Sequence, residues 1–244
     1  MQTMIELNNL SRRFGDHWAV RDLTLNVPTG ELFCFLGPNG AGKTTTIKMI
    51  TGLLKPTAGA IRLNGLDLQE QPLQVKQMIG YIPDTPYLYD RLTASEFFDF
   101  TGELYAMDPR RIQQAKPELF ALFGLKEHAG HLVRDLSHGL RQRLLYAVSF
   151  LHQPAALFID EPLIGLDPYT IRLIKDLLKR KTEEGMTIFL TTHILALAED
   201  IADRIGIIHN GRLAALGTVG ELREQSGVAG SLEDIFLHLT GTPS

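Results

Sequence analysis

Cysteine is all but missing from this chain. Cys34 is the single one, so no intrachain disulfide framework is available and a reducing compartment is expected. It sits in the apolar run Leu32-Phe33-Cys34-Phe35-Leu36, where it reads as packing rather than as a nucleophile. Long hydrophobic runs are missing too. No apolar stretch approaches the roughly 20 residues needed to span a bilayer. The start, Met1-Gln2-Thr3-Met4-Ile5-Glu6, has neither the basic opening nor the apolar core of a secretion signal. An excess of positive charge is also missing: 24 Lys and Arg stand against 28 Asp and Glu. That balance argues against broad polyanion binding, so no nucleic acid partner is expected. No internal repeat, low-complexity segment or long linker occurs. A cytoplasmic chain is expected, with any membrane role supplied by a partner.

What is present is a globular composition, with 44% hydrophobic residues in 244, enough for one well-buried α/β domain over 1–244. The opening reads as β at Met4 to Leu7, Leu23 to Val27 and the buried strand Leu32 to Leu36. Lys43 to Thr51 reads as a helix, and a strand near Ala60 to Leu63 ends at the turn signal Asn64-Gly65. The middle changes character. Thr93-x-x-Glu96 resembles a capping box ahead of Phe97 to Met107, and Asp108-Pro109 starts a helix over Arg110 to Phe123. Successive helices without a strand between them predict a helical insert over roughly 85–150, its last helix capped by Ser137. The alternation then returns. Ala156 to Ile159 and Thr187 to Thr191 read as parallel strands covered on both faces. A helix starts at Asp167-Pro168, and a hairpin at Asn210-Gly211 and a helix capped by Ser231 fill roughly 204–244. The fold class expected is α/β with a mostly parallel sheet, an N-terminal antiparallel β part and an inserted helical subdomain, and the glycine-rich run from Gly37 to Thr44 between a strand and a helix makes the expected core that of a P-loop NTPase.

Gly37-Pro38-Asn39-Gly40-Ala41-Gly42-Lys43-Thr44 meets the full G-x-x-x-x-G-K-T spacing between a strand and a helix. Such glycines let successive backbone N–H groups converge on phosphate oxygens, and the helix N-terminus, with Thr45 beside Thr44, adds positive potential. Lys43 is expected to bridge the β- and γ-phosphates of ATP, and the Thr44 hydroxyl to bind Mg²⁺. Asp160 and Glu161 end the strand after Ile159, at the carboxyl edge where open α/β folds bind ligands. Asp160 is expected to hold Mg²⁺ through water and Glu161 to orient the attacking water. Alone, an Asp-Glu pair after a strand is more often a solvated loop; beside the phosphate loop the functional reading wins.

With these motifs in this order, the chain resembles the nucleotide-binding subunit of ATP-binding cassette (ABC) transporters from about Met4 to Val219. The resemblance implies Phe14 as the aromatic that stacks on adenine, a core Phe being the alternative. It implies Gly165-Leu166-Asp167 as the loop that touches a partner subunit and couples the two sites, and His193 as the switch histidine near the γ-phosphate. It also implies that Ser137 and Gly139, opening a helix, face the nucleotide of a second cassette in a sandwich dimer, homomeric or heteromeric. A separate membrane permease is the other implied partner, which places the chain peripherally on the cytoplasmic face. The tail from Ser231 to Gly241 resembles the short C-terminal helix of exporter-type cassettes.

Two departures stand out. The family usually has Leu-Ser-Gly-Gly-Gln where this chain has Leu136-Ser137-His138-Gly139-Leu140. It normally has glutamine where Asp84 stands, a position whose side chain reaches Mg²⁺ and the nucleophile and whose loop transmits movement to the permease. Asp84, shorter and anionic, is expected to keep the coupling role and an approach to Mg²⁺. The rival reading is a soluble ABC ATPase acting as a nucleotide-gated module in translation or DNA maintenance. Such proteins usually carry two cassettes or a long coiled coil, and this chain has one phosphate loop and no sustained heptads. His128-x-x-His131 has no Cys or carboxylate at metal spacing and reads as loop.

Overall fold

The structure, a computed structural model, describes residues 2–161, 163, 166–228 and 230–241. It begins with two long antiparallel strands, β1 (Thr3–Phe14) and β2 (His17–Pro28). β1 runs well past the expected end at Leu7. Asn9 takes φ +47 and the register shifts between Leu7 and Leu10, so a bulge absorbs the polar Asn8-Asn9 pair without ending the strand. Next come β3 (Leu32–Leu36), α1 (Lys43–Ile50), β4 (Ala58–Leu63), β5 (Leu66–Asp67), α2 (Pro72–Met78) and β6 (Ile79–Ile82). Between β6 and the next strand lie α3 (Ala94–Leu104), α4 (Pro109–Leu122) and α5 (His138–Leu151). The caps here follow the sequence: Thr93 and Glu96 form a complete capping box, and the Asp108 and Ser137 side chains accept from first-turn N–H groups.

β7 (Ala156–Asp160), α6 (Pro168–Glu183), β8 (Thr187–Thr192), α7 (Leu195–Ile201) and β9 (Arg204–His209) restore the alternation. β10 (Arg212–Gly217), α8 (Val219–Ser226) and α9 (Leu232–Thr240) complete the described chain. Two sheets result, in the orders β2-β1-β4-β5 and β10-β9-β3-β8-β7-β6. The first is antiparallel, and the second is parallel except for its β9-β10 hairpin.

The period-two alternation of the central strands divides the interior. Leu32, Cys34 and Leu36 point into a core shared with α3 to α9, while Phe33 and Phe35 point into a core shared with the antiparallel sheet and α1. β8 repeats this, with Ile188 and Leu190 on one face and Phe189 on the other. Phe189 stands at the centre of an aromatic cluster, its ring centroid 5.3 Å from Phe33, 5.6 Å from Phe35 and 6.0 Å from Phe158. Each such side chain taken fully from water contributes about 1.5–3 kcal/mol. Both cores grip the same strands, so the loops leaving their carboxyl ends start from rigid positions. Cys34 is fully buried, and burial pushes its thiol far above the ordinary range, which leaves it inert. No helix among the described residues is long and apolar enough to cross a membrane.

Candidate functional site

A cleft of about 340 Å³ opens at the carboxyl ends of β3, β7 and β8. It is lined by Asn39, Gly40, Gly42, Lys43, Thr44, Thr45, Asp84, Glu161, His193 and Ala19. Gly37, Pro38 and Ala41 complete the loop between β3 and α1, with the Gly37 N–H donating to Thr192 O at 3.3 Å and that of Ala41 to Pro38 O at 3.2 Å. Gly42 is the N-cap of α1 and brings no capping side chain. The first-turn N–H groups of the helix therefore stay available to an anion. Gly42 has φ +111, and a Cβ there would lie 2.4 Å from Ala19 O. Gly42→Ala is expected to force the loop off β2 and to abolish the rise in melting temperature that ATP gives the parent protein. An undiminished rise on thermal melting with ATP would count against this geometry.

Lys43 is buried, with its ammonium donating to Gly37 O at 2.7 Å and Pro38 O at 3.2 Å. The same nitrogen lies 3.4 Å from Glu161 Oε1, which also accepts from His193 Nδ1 at 2.9 Å. Glu161 itself takes φ +50, a left-handed conformation that is strained for a residue with a side chain. Its N–H is held by Thr191 O at 3.1 Å, one reason the strain persists. Lys43 at the start of α1 and His193 just after β8, remote in sequence, thus converge on the Glu161 carboxylate just after β7.

Asp160 ends β7 and is fully buried. Burial raises its pKa, the Thr191 and Thr44 hydroxyls oppose that rise, and the neighbouring charges of Asp84 and Glu161 add to it. Its Oδ1 accepts a short hydrogen bond from Thr191 Oγ1, whereas Oδ2 is buried with no hydrogen-bond partner among the described residues. An unpartnered buried carboxylate oxygen, with two further carboxylates near it, is electrostatically suited to a hard divalent cation. No cluster of three or more His, Cys, Asp or Glu able to cage a metal occurs among the described residues. Mg²⁺ does not require one, because it is commonly held by one or two protein groups, waters and substrate phosphates.

Asp84 reaches the cleft from the loop after β6, with its Oδ1 accepting from the Thr85 N–H at 2.8 Å. Phe14 closes β1, is 46% exposed beneath the Arg12 guanidinium at 4.5 Å, and stands outside the cleft lining. Ser137 and Gly139 also stand outside it, at the start of α5, where Ser137 Oγ accepts from the Leu140 N–H at 3.3 Å. His138 is exposed, and Leu140 packs against the core instead of presenting a polar side chain. Gly165 lies outside the described residues. Among groups the sequence did not single out, Thr191 and Ala19 contribute directly, the first through Asp160 and the second as cleft wall. His128 and His131 stay apart from the cleft, paired Nδ1 to Nδ1 at 3.3 Å.

The family model described as ABC transporter matches residues 20–164. A probable multidrug ABC transporter ATP-binding protein, YbhF of Escherichia coli (strain K12), is 40% identical over 225 residues. That match covers 92% of this chain and 39% of YbhF, so the chain spans well under half of that relative. The ABC-type transporter ATP-binding protein EcsA of Bacillus subtilis (strain 168) is 33% identical, covering 98% of this chain and 97% of EcsA. A solved ATP-binding subunit of an ABC transporter superposes with TM-score 0.92 at 36% identity, covering 97% of this chain and 99% of that one. A dimeric ATP-binding cassette in a post-hydrolysis state, bound to ADP and Pi, superposes with TM-score 0.81 at 26% identity, covering 88% of this chain and 98% of that one.

Proposed function

Because the chain belongs to the ABC transporter family, we propose that it is the ATP-hydrolysing subunit that energises movement of a substrate through a separate membrane permease. The observation that carries this reading is the convergence of Lys43, Glu161 and His193 beside Asp160 in the phosphate-loop cleft. Two copies, or one copy and a related cassette, close on two ATP molecules. Each site combines Lys43, Thr44, Asp160, Glu161 and His193 of one subunit with Ser137 and Gly139 of the other. The dimeric relative with ADP and Pi supports this arrangement.

Phosphoryl transfer to water asks the protein mainly for positioning and charge. The loop N–H groups and Lys43 hold the triphosphate, and the Lys43 ammonium leaves the Glu161 carboxylate as it turns to the phosphates. That exchange frees Glu161 to accept the proton of the attacking water, while His193 keeps the carboxylate oriented through its Nδ1–H. Thr44 and Asp160 would hold Mg²⁺, which when bound neutralises charge developing on the phosphates. Phe14 is assigned to the adenine, at the rim of the cleft rather than within it.

Asp84 joins this site to the exposed Tyr87 and Tyr89 on the same loop, the part proposed to face the permease. Asp84→Ala is expected to lower turnover about tenfold and to remove stimulation by the permease, a loss of roughly 1.4 kcal/mol of transition-state stabilisation. Unchanged basal and stimulated rates, measured as phosphate release with and without the co-purified permease, would reject that role. Export is the proposed direction, supported by the multidrug name of YbhF and by the short C-terminal helix α9. Identifying the membrane protein that co-purifies with the chain tests it: a ribosomal or DNA partner would favour the soluble alternative.

A further inference from the structure

Arg12 and Phe14 stand two residues apart on β1 and so leave the same face of the strand. Arg12 pairs across the ladder with Val20, and a Cβ at Gly42 would lie 3.1 Å from Val20 Cγ2. This face is therefore the one turned to the phosphate loop. The Arg12 guanidinium lies over the Phe14 ring, 4.5 Å from its centroid. It is held there from a third element: Nη1 donates to Lys55 O at 2.8 Å, in the segment that follows α1. Its Nε is buried with no hydrogen-bond partner among the described residues. A buried donor is costly unless something electron-rich faces it, and the π face of Phe14 is what lies against this guanidinium. The next arginine behaves differently. Arg13 donates from Nε to Gly15 O at 2.6 Å and braces the hairpin turn itself.

The anchor decides which face of the ring is covered. α1 starts at Lys43 in the phosphate loop and ends at Ile50, so Lys55 O lies past the helix end that is about 12 Å from the loop. The guanidinium reaches Phe14 from that side. With one face so occupied the ring is still 46% exposed. Resting on the reading above that Phe14 carries the adenine, we propose that Arg12 is a positioning residue for the base. It covers the rear face of Phe14, stops the ring from turning, and leaves the face towards the phosphate loop open to one planar ring. Phe14 needs such a brace. It ends β1 one residue before Gly15 at φ +57, and it stands outside both buried cores. A loose ring at a hairpin tip has to be ordered each time a base binds, and that cost is taken from affinity. Arg12 orders it beforehand. It does so from behind the ring, away from the phosphates, so its effect belongs to binding and not to the chemical step.

Steady-state phosphate release by the full-length chain tests this. Arg12→Ala is expected to raise KM for ATP about fivefold and to leave kcat within about twofold of the parent, the split that marks lost uniform binding. Inorganic tripolyphosphate, which has the phosphates and no base, is expected to compete equally well against ATP binding in both proteins once scaled to their KM. Phe14→Ala should raise KM at least as much, and Phe14→Ala/Arg12→Ala no further, because a brace does nothing once the ring is gone. Arg12→Lys keeps the cation and a donor for Lys55 O but not the planar fork, and should recover part of the affinity. Arg21→Ala, which removes an arginine of β2 that stands over Trp18, should leave KM unchanged. Ring order is read directly in Phe14→Trp/Trp18→Phe, which moves the chain's single tryptophan to the platform. Adding Arg12→Ala to that protein is expected to lower its fluorescence anisotropy. A KM unmoved in Arg12→Ala, with only the melting temperature lowered, overturns the proposal and leaves Arg12 as a tie between β1 and Lys55. A rise in KM matched by an equal loss of tripolyphosphate affinity also overturns it, because the damage then lies in the phosphate loop. If Phe14→Ala raises KM and Arg12→Ala does not, the brace alone fails; if Phe14→Ala leaves KM unchanged, the adenine reading fails and takes the brace with it.

Discussion

Glu161→Gln is expected to bind ATP normally, to hydrolyse it about 10²–10⁴-fold more slowly, and to accumulate as a nucleotide-bound dimer. The amide is the same length as the carboxylate, so its oxygen still accepts from His193 Nδ1 at the site of the present 2.9 Å bond. The left-handed backbone at φ +50 is asked of either residue equally. What changes is basicity. An amide does not take a proton from the attacking water, whereas every group proposed to hold the phosphates is untouched. If hydrolysis is what reopens the dimer, the closed state must build up. Phosphate release and sedimentation velocity with ATP check both halves. Turnover at the parent rate would remove Glu161 from the role of base and leave its convergence with Lys43 and His193 without a catalytic reason.

The cleft was legible to different depths for different residues. The phosphate loop reads directly, because Gly37, Gly42, Lys43 and Thr44 are fixed by local geometry within eight positions. Asp160 and Glu161 read from the apolar strand before them, since strand alternation and termination are local too. Thr191 did not. It lies inside a run whose residues are all buried, and only its hydrogen bond to a carboxylate 31 residues away separates it from packing. Asp167 reads as a helix start, but its pairing with Arg143, 24 residues away, carries no local signal. Among the elements, β1 reads from the sequence only over Met4 to Leu7, whereas a bulge at Asn8-Asn9 carries the strand on to Phe14. α2 buries Val75 alone, which leaves no helical period to detect. α8 did have a signal, the Thr218–Glu221 capping box, ahead of a stretch with one buried residue, Leu222. Local chemistry could be read from the chain; contacts across the sheet could not.

Lys43→Met is expected to abolish ATP binding and also to change the stability of the nucleotide-free protein, and the two effects can be separated. The Lys43 and Glu161 side chains are only 6% and 11% exposed and lie 3.4 Å apart. Removing one partner of a buried pair costs about 3–5 kcal/mol, because the remaining charge is left without its counter-charge. His193, 43% exposed and 2.9 Å from the same carboxylate oxygen, offers partial relief, so the lower end of that range is expected. Met is close in length to lysine and fills the same space, which keeps a cavity term out of the comparison. In Lys43→Met/Glu161→Gln the uncompensated charge is gone as well. The double variant should therefore regain most of the lost stability, a positive coupling between neighbouring sites, while its ATP binding stays lost. Urea unfolding of the parent, both single variants and the double variant gives the coupling energy, and titration with a fluorescent ATP analogue gives the affinity. If Lys43→Met loses affinity with no change in unfolding midpoint, the Lys43–Glu161 contact does not persist in solution. The exchange of Lys43 from Glu161 to the phosphates would then be no part of how the site is switched on.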